Sequence, residues 1–351
     1  MKNKIRVLIA DDSAFMRRII SDLIDSDPEL TVIDTARNGE DALKLIDRLN
    51  PDVITLDLEM PKLNGLETLK KIMSTSPKPV VMISHLTQEG AKTTLECLDA
   101  GAMDFIPKPS GSISLDFAKV AEDLTEKIKM AYNNFKPKKV RRSSRIKRKK
   151  RRIPKTSFST CCKEMVVALG TSSGGPRALK EVIPLLPENF PAGMIIVQHM
   201  PPGFTKSLAD RLNMESKIRV KEAEEGDKIE PGLALLAPGD YHLEIKDGGI
   251  VTLNKKPTLW GVRPCVDYMM ETLAPLYQDR VIGVIMTGMG RDGANGMADI
   301  KKYGGQTIVQ DEESCLVYGM PRAVVERDLA DHILPLERIP RKIVQLLNRK
   351  R

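Results

Sequence analysis

The stretch "MVVALGTSSGGP", residues 165–176, joins an uninterrupted apolar run to a turn that contains two serines and three glycines. Apolar runs without alternation are typical of strands buried on both faces of a parallel sheet. The segment "GGPRALKEVIPLL" predicts a helix after the turn, so the order is strand, tight turn, helix. Such a turn suits two chemistries. Its glycines could cradle a phosphate, or they could hold one serine out as a nucleophile.

The rest of the second half repeats this alternation of apolar runs and helical patterns. Three further runs end at glycine, proline or histidine and predict strands: "GMIIVQHMP", "LALLAPG" and "RVIGVIMTGMG". Helices are predicted to follow residues 175, 203, 264, 293 and 319, and "HLEIKDGGIVTL" has the D-G-G signature of an antiparallel hairpin. We therefore predict a doubly wound, mostly parallel α/β domain with a hairpin, whose ligands bind at the carboxyl ends of the strands.

The turn at residues 170–174 fits G-x-S-x-G, a pattern that places its serine, Ser172, at the apex of a strand-to-helix turn. A serine hydroxyl is a poor nucleophile at neutral pH, so this interpretation requires a base and an acid that orients the base. His199 ends the next predicted strand and Asp292 lies in the glycine-rich loop after another, so the three can meet at one sheet edge. The alternative is nucleotide binding, but the turn lacks the G-K-[ST] of a phosphate-binding loop.

The first half alternates five short apolar runs with helical patterns and ends with a helical pattern at residues 114–135. The predicted strands are "IRVLIAD", "TVIDTA", "DVITLD", "PVVMIS" and "AMDFIPKP". Strands separated by helices indicate right-handed βαβ units around a parallel sheet. We therefore predict a flavodoxin-like (βα)5 fold for this half.

Charged and polar side chains lie at the ends of these strands. Asp11 and Asp12 end the first strand and Asp57 ends the third, so we expect the three carboxylates to lie close together. Carboxylates this close repel one another unless a cation lies among them, and an oxygen-only cluster suits Mg²⁺. Ser84 and Lys108 end the fourth and fifth strands. They add a hydroxyl and an ammonium that suit a phosphoryl group on Asp57.

Over residues 4–125 the sequence resembles the receiver domains of two-component response regulators, through "ADDS", "DLEMPKLNGLE", "MIS" and "GAMDFIPKP". The resemblance implies that Asp57 accepts a phosphoryl group from a histidine kinase, while Asp11 and Asp12 help to hold Mg²⁺. It also implies that Ser84 and Phe105 change position on phosphorylation and that Lys108 contacts the phosphoryl group.

Residues 165–347 resemble the catalytic domain of the chemotaxis protein-glutamate methylesterases, through "GTSSGGP", "QHMP", "GDYHL", "RPCVDYM", "MTGMGRDGANG" and "YGMPRAV". The resemblance implies that Ser172 is the nucleophile, His199 the general base and Asp292 the acid that orients it, with no metal at this site. It implies that the oxyanion is bound by the backbone amides of two residues, Ser173 and Met289.

The same resemblance implies the reaction and its control. The substrates would be glutamate γ-methyl esters on chemoreceptors, with methanol as a product, and in many family members also receptor glutamines, which are deamidated. The unphosphorylated receiver would cover the active site, and phosphorylation of Asp57 would uncover it. A chemotaxis histidine kinase would supply the phosphoryl group.

The predicted domains, residues 1–135 and 161–351, are separated by a basic linker predicted at residues 136–160. Residues 136–155 hold 13 Lys and Arg and no acidic residue, which leaves 42 of the 55 basic residues against 47 acidic ones. The net charge of +8 therefore belongs to the linker. An alternative function is a non-enzymatic response regulator that binds nucleic acid through this segment. The absence of aromatic side chains on which bases could stack argues against it.

The sequence also indicates where in the cell the protein is located. No apolar run reaches the length of about 18 residues that spans a bilayer, and acidic residues interrupt the N-terminal run early. We therefore expect a cytoplasmic protein that is not embedded in a membrane. The five cysteines show no C-x-x-C spacing, which argues against a disulfide framework or a zinc site.

Overall fold

The computed structural model describes residues 4–85, 87–108, 117–135 and 165–349. The chain divides into two compact units, Met1–Lys147 and Arg148–Arg351. Each unit contains a parallel sheet of its own. The basic linker predicted at residues 136–160 lies outside the described residues, and the predicted domain boundaries stay predictions.

In the described residues of the first unit (4–85, 87–108 and 117–135), five strands alternate with five helices. The strands are β1 (Ile5–Ala10), β2 (Leu30–Ala36), β3 (Val53–Asp57), β4 (Val80–Ser84) and β5 (Asp104–Pro107). The helices are α1 (Ala14–Asp25), α2 (Gly39–Leu49), α3 (Gly65–Thr75), α4 (Gln88–Ala100) and α5 (Phe117–Asn134). All neighbouring strands are parallel, in the order β2-β1-β3-β4-β5. The predicted flavodoxin-like fold is confirmed.

Helix α3 begins directly against the end of β3. Asn64 and Glu67 form a capping box, in which each side chain accepts a hydrogen bond from the backbone amide of the other residue. A Cβ atom on Gly65 would lie 2.1 Å from the carbonyl oxygen of Asp57, so only glycine permits this approach. This close turn keeps Asp57 at the carboxyl edge of the sheet.

The second unit contains nine strands and six helices within residues 165–349. The strands are β6 (Met165–Thr171), β7 (Ala192–Gln198), β8 (Arg219–Glu222), β9 (Leu233–Leu236), β10 (His242–Lys246), β11 (Ile250–Asn254), β12 (Val281–Ile285), β13 (Gln306–Gln310) and β14 (His332–Leu334). The helices are α6 (Gly175–Val182), α7 (Phe204–Glu215), α8 (Val266–Tyr277), α9 (Ala294–Lys302), α10 (Met320–Val325) and α11 (Ile339–Arg349). Seven strands form one parallel sheet in the order β14-β13-β12-β6-β7-β9-β8. The predicted α/β class is confirmed.

The predicted hairpin is present, but it forms a sheet of its own. Strands β10 and β11 pair only with each other among the named strands, and Gly248 and Gly249 between them have φ of 78° and 74°. These left-handed values favour glycine. The hairpin packs against α8, where the Ile245 amide donates a hydrogen bond to Thr272 Oγ1 at 3.1 Å.

Three strands of the sheet were not predicted. β8 ("RVKE") and β14 ("HIL") lie at the two edges, and β13 ("QTIVQ") lies next to β14. β8 is charged, β14 has only three residues, and β13 has polar residues at both ends, so none has the long apolar run on which the prediction relied. Their pairing with buried neighbours, rather than their own composition, makes them strands.

The core of the second unit lies between the parallel sheet, the hairpin and helix α8. β6 is buried along its whole length, and Leu243, Val251 and Met269 are fully buried in the same cluster. Among the residues that the structure describes, no helix is both long enough and apolar enough to span a membrane.

Candidate active site

The turn after β6 lies beside the end of β7. Thr171 and Gln198 are paired at the ends of these strands, so Ser172 and His199 are the next residues on neighbouring segments. The Gln198 side-chain amide donates to the carbonyl oxygens of Ser172 and His199, at 3.0 Å each. A Cβ atom on Gly175 would lie 1.9 Å from Gln198 Oε1, which explains the glycine at the start of α6. These contacts hold the backbones of Ser172 and His199 together at the carboxyl edge of the sheet.

The two serines of the turn differ in exposure. Ser172 is half-buried, whereas Ser173 is only 7% exposed. The Ser172 amide donates to the carbonyl oxygen of Thr287 at 3.0 Å, and the Thr287 hydroxyl donates to the carbonyl oxygen of Ser173 at 2.9 Å. A Cβ atom on Gly288 would lie 2.9 Å from Ser172 Cβ. The segment after β12 therefore supports the turn and leaves Ser172 as the more accessible serine.

Asp292 is the buried partner of His199. Its Oδ2 lies 2.8 Å from Nε2 of His199 and accepts a hydrogen bond from the Val266 amide at 2.7 Å. Its Oδ1 accepts from the Asp267 amide at 2.9 Å and from the Cys265 thiol at 3.0 Å. Burial by itself raises the pKa of Asp292, but the hydrogen bond and charge of His199, together with the other donors, hold that pKa below its ordinary value. The carboxylate is therefore ionised and fixed in orientation.

The segment that holds Asp292 belongs to the motif "RPCVDYM", to which the sequence alone assigned no role. Burial, followed by the charge of Asp292, raises the pKa of the Cys265 thiol, so the thiol keeps the proton that it donates. The amides of Val266 and Asp267 are in the first turn of α8, where amides have no partner within the helix. A signal was available in the sequence, because the predicted start of this helix marks a group of free donors.

The link between Ser172 and His199 is less complete than the link between His199 and Asp292. Within residues 165–349, no hydrogen bond joins the Ser172 hydroxyl to the His199 ring. The His199 amide instead donates to the carbonyl oxygen of Thr171 at 3.2 Å. Because Asp292 lies on Nε2, Nδ1 is the ring nitrogen that remains for a proton from Ser172.

The two amides predicted to bind an oxyanion are at the ends of two loops beside Ser172. The Ser173 amide lies in the turn after β6, and the Met289 amide lies one residue after Gly288, which contacts Ser172. Neither amide donates a hydrogen bond to a group within residues 165–349. Their role as oxyanion donors stays a prediction.

The three aspartates predicted to hold Mg²⁺ meet at the carboxyl edge of the first unit. One carboxylate oxygen from each of Asp11, Asp12 and Asp57 lies within 4.8 Å of the others, with Asp12 exposed and the other two buried. Lys108 Nζ lies 2.7 Å from Asp57 Oδ2 and 3.1 Å from Asp11 Oδ2. Burial raises the pKa of Asp57 to about 6, an effect that Lys108 opposes and Asp11 reinforces. Only the ammonium of Lys108 lies in ion-pair distance of these carboxylates among the described residues, so the site lacks positive charge.

This cluster fits a small divalent cation. Asp57 Oδ1 is buried and has no hydrogen-bond partner among the residues that the structure describes. A carboxylate oxygen left bare in the interior is unfavourable, and hard cations such as Mg²⁺ prefer oxygen ligands. The orphaned oxygen and its two neighbouring carboxylates supply such a ligand set.

Of the predicted switch residues, Lys108 contacts Asp57, whereas Ser84 and Phe105 make other contacts. Ser84 is buried, and its Oγ accepts a hydrogen bond from Thr94 Oγ1 at 2.9 Å. Phe105 is buried, and the ammonium of Lys127 lies 5.7 Å from its ring centroid. Their movement on phosphorylation stays a prediction.

Family models match both units. The model described as CheB methylesterase matches residues 167–343, and the model described as response regulator receiver domain matches residues 7–117. These matches cover the two sets of motifs found in the sequence. They also favour a hydrolase over the nucleic-acid and nucleotide-binding alternatives.

Similar proteins cover almost the whole chain. The protein-glutamate methylesterase/protein-glutamine glutaminase of Pyrococcus abyssi is 50% identical over 97% of this chain and 93% of its own length. The protein of the same name from Thermotoga maritima is 48% identical over 98% of both chains. The crystal structure of the Thermotoga maritima CheB methylesterase catalytic domain covers 53% of this chain and 100% of its own, at 48% identity and a TM-score of 0.51. The chain therefore belongs to the CheB methylesterase family, with a response regulator receiver domain preceding its methylesterase domain.

Proposed function

We propose that this chain is a phosphorylation-activated serine hydrolase that demethylates glutamate γ-methyl esters on chemoreceptors and deamidates receptor glutamines. The names of the Pyrococcus abyssi and Thermotoga maritima relatives support both activities. The observation that carries the proposal is the 2.8 Å contact between His199 Nε2 and Asp292 Oδ2 beside the half-buried Ser172. A serine, an imidazole and a buried carboxylate are the parts of an acyl-transfer site.

In the proposed first half-reaction, Ser172 Oγ attacks the ester carbonyl carbon while Nδ1 of His199 takes the hydroxyl proton. Asp292 fixes the tautomer with the proton on Nε2 and stabilises the imidazolium that forms. The amides of Ser173 and Met289 donate to the oxyanion. When the tetrahedral intermediate collapses, the ester C–O bond breaks, His199 returns the proton to the leaving oxygen, and methanol departs.

In the second half-reaction, water attacks the acyl group on Ser172. His199 again takes a proton, now from the water, and returns it to Ser172 Oγ as the acyl bond breaks. The products are a glutamate side chain on the receptor and the original enzyme. With a glutamine substrate the same steps release ammonia, because the protonated amide nitrogen leaves in place of methanol.

The direct test is methanol release from methylated chemoreceptor membranes by the full chain. We expect release by the wild type that increases when the receiver is phosphorylated. If no methanol is released under either condition, the proposed substrate is wrong.

The receiver is proposed to control this reaction through Asp57. Asp11, Asp12 and Asp57 would hold Mg²⁺, which when bound neutralises the carboxylates and the charge of an entering phosphoryl group. Lys108 supplies a buried ammonium 2.7 Å from Asp57 Oδ2. The proposed phosphoryl donor is a chemotaxis histidine kinase, and the proposed location is the cytoplasm.

Acetyl phosphate with Mg²⁺ should increase ester hydrolysis by the wild type and leave hydrolysis by Asp57→Asn unchanged. The amide of asparagine cannot form the acyl phosphate that a carboxylate forms. A matched control is Asp52→Asn, because Asp52 precedes the opposite end of β3 and binds the Arg6 amide at 2.9 Å. Equal stimulation of Asp57→Asn and the wild type would exclude control through Asp57.

Cys265→Ala should lower kcat/KM about 3- to 10-fold, because Asp292 loses one of its donors within a buried site. Cys265→Ser should recover most of the activity, since a hydroxyl can donate to Asp292 Oδ1 as the thiol does at 3.0 Å. Both variants are compared with the wild type by initial rates and by thermal unfolding. Equal losses for alanine and serine would show that packing, and not the hydrogen bond, is the contribution of Cys265.

A further inference from the structure

A turn beside the candidate active site presents the single tryptophan of the chain to solvent. Trp260 is 44% exposed and has a φ of 55°, a left-handed conformation that a bulky side chain rarely adopts. A bridge between Leu259 and Val262 closes the turn, and Gly261 has a φ of 74°. A large apolar ring held outward at a backbone cost indicates a functional constraint.

The indole is anchored to the residues that hold Asp292. Trp260 Nε1 donates to Asp267 Oδ2 at 2.9 Å, and the other oxygen of Asp267 accepts from the Gly296 amide at 2.8 Å. The Asp267 amide in turn donates to Asp292 Oδ1 at 2.9 Å. One buried residue therefore connects the exposed ring with the acid beside His199, so the ring has a fixed position relative to the site.

A guanidinium covers this ring. The Arg291 guanidinium carbon lies 4.8 Å from the centroid of Trp260, and Arg291 is exposed and directly precedes Asp292. Within residues 165–349, no carboxylate lies in ion-pair distance of Arg291, whereas Arg219 and Arg263 each pair with an acidic side chain. A guanidinium that lies over a ring and has no ionic partner still offers N–H donors to a planar acceptor.

We infer that Trp260 and Arg291 form a carboxylate-binding subsite that takes an acidic side chain next to the scissile ester on a protein substrate. The guanidinium offers paired donors to the carboxylate, and the exposed indole contacts the methylene groups of the same side chain. The inference rests on the proposed function, because it assigns a second contact to the glutamyl protein that Ser172 attacks. It explains why an arginine without an acidic partner in residues 165–349 lies next to the acid that orients His199.

The test uses the full chain and two methylated receptor fragments that differ only at the positions beside the methyl ester, one with glutamate there and one with alanine. Arg291→Ala should lower kcat/KM about 10-fold on the acidic fragment, mainly through KM, and less than about 2-fold on the alanine fragment. On the acidic fragment, the kcat/KM of Arg291→Lys should lie between the values of the wild type and Arg291→Ala, since lysine keeps the charge but loses the planar pair of donors. Equal losses on both fragments, or no loss on either, would overturn the subsite.

Arg280→Ala is the matched control. Its guanidinium lies 5.2 Å from the ring of Tyr277, so the variant removes the same charge from the same kind of pair. Arg280 directly precedes β12, at the opposite end of that strand from the loop that carries Arg291. Arg280→Ala should therefore have the wild-type kcat/KM on both fragments.

Fluorescence of Trp260 separates this inference from the proposed activity. A helical peptide rich in glutamate and free of tryptophan should change the emission of the wild type at concentrations where its alanine counterpart does not. Arg291→Ala should lose this response. If the wild type releases no methanol, the proposed function is wrong. The change in Trp260 emission still tests whether the subsite binds an acidic side chain. An identical response to both peptides would exclude it.

Discussion

Ser172→Ala is expected to lower the rate of ester hydrolysis by about 10⁶-fold, the loss seen when the nucleophile of a serine triad is removed. The reason is chemical, because alanine offers no oxygen to attack the carbonyl carbon. The backbone of the turn does not depend on the hydroxyl. The Ser172 amide still donates to Thr287 at 3.0 Å, and its carbonyl oxygen still accepts from Gln198 at 3.0 Å.

The matched control is Ser173→Ala. Ser173 is buried, and its proposed role uses the backbone amide, which alanine keeps. We expect Ser173→Ala to retain hydrolysis within a few-fold of the wild type. Methanol release by both variants is measured from the same receptor membranes. An active Ser172→Ala variant together with an inactive Ser173→Ala variant would show that the other serine of the turn is the nucleophile.

The positions of Ser172 and His199 could be predicted because local sequence determines them. Each directly follows a buried apolar strand, and parallel strands in this class of sheet place their carboxyl ends at one edge. Position at a strand end can therefore be predicted from the sequence before any contact is known. The structure adds a reason for one glycine of the turn, since a Cβ atom on Gly175 would lie against Gln198.

The surroundings of Asp292 could not be predicted in the same way. Its donors are 25 to 27 residues away in the chain and meet it only because α8 begins beside the loop after β12. The pairing of β13 and β14 has the same origin, since it depends on neighbours and not on an apolar run. The separate packing of the hairpin on α8 is a third case. Contacts between distant segments decide each of these features.

Asp292→Asn is expected to lower the rate by roughly 10⁴-fold, with the fold unchanged. Asparagine has the same shape, but one of its two terminal groups is an amide nitrogen that donates. The carboxylate of Asp292 accepts at both oxygens, from His199 and Val266 on one side and from Asp267 and Cys265 on the other. Either orientation of asparagine therefore places an NH₂ group against a backbone amide.

The orientation of asparagine determines the loss of activity. If the NH₂ group faces His199, Nε2 must accept, the ring proton moves to Nδ1, and Nδ1 can no longer take the proton of Ser172. If the NH₂ group faces Asp267 instead, His199 keeps its tautomer but loses the charge that stabilises its imidazolium. The first orientation leaves the Val266 amide without its acceptor at 2.7 Å, and the second leaves the Asp267 amide without its acceptor at 2.9 Å.

Initial rates of methanol release, together with thermal unfolding, test this prediction on Asp292→Asn and on the control Asp299→Asn. Asp299 is a half-buried residue of α9 in the same unit, so the control makes the same chemical change away from His199. We expect the control to retain the wild-type rate. A loss of tenfold or less for Asp292→Asn would mean that His199 acts as a base without an orienting carboxylate. The buried contact with Asp292 would then contribute to stability and not to catalysis.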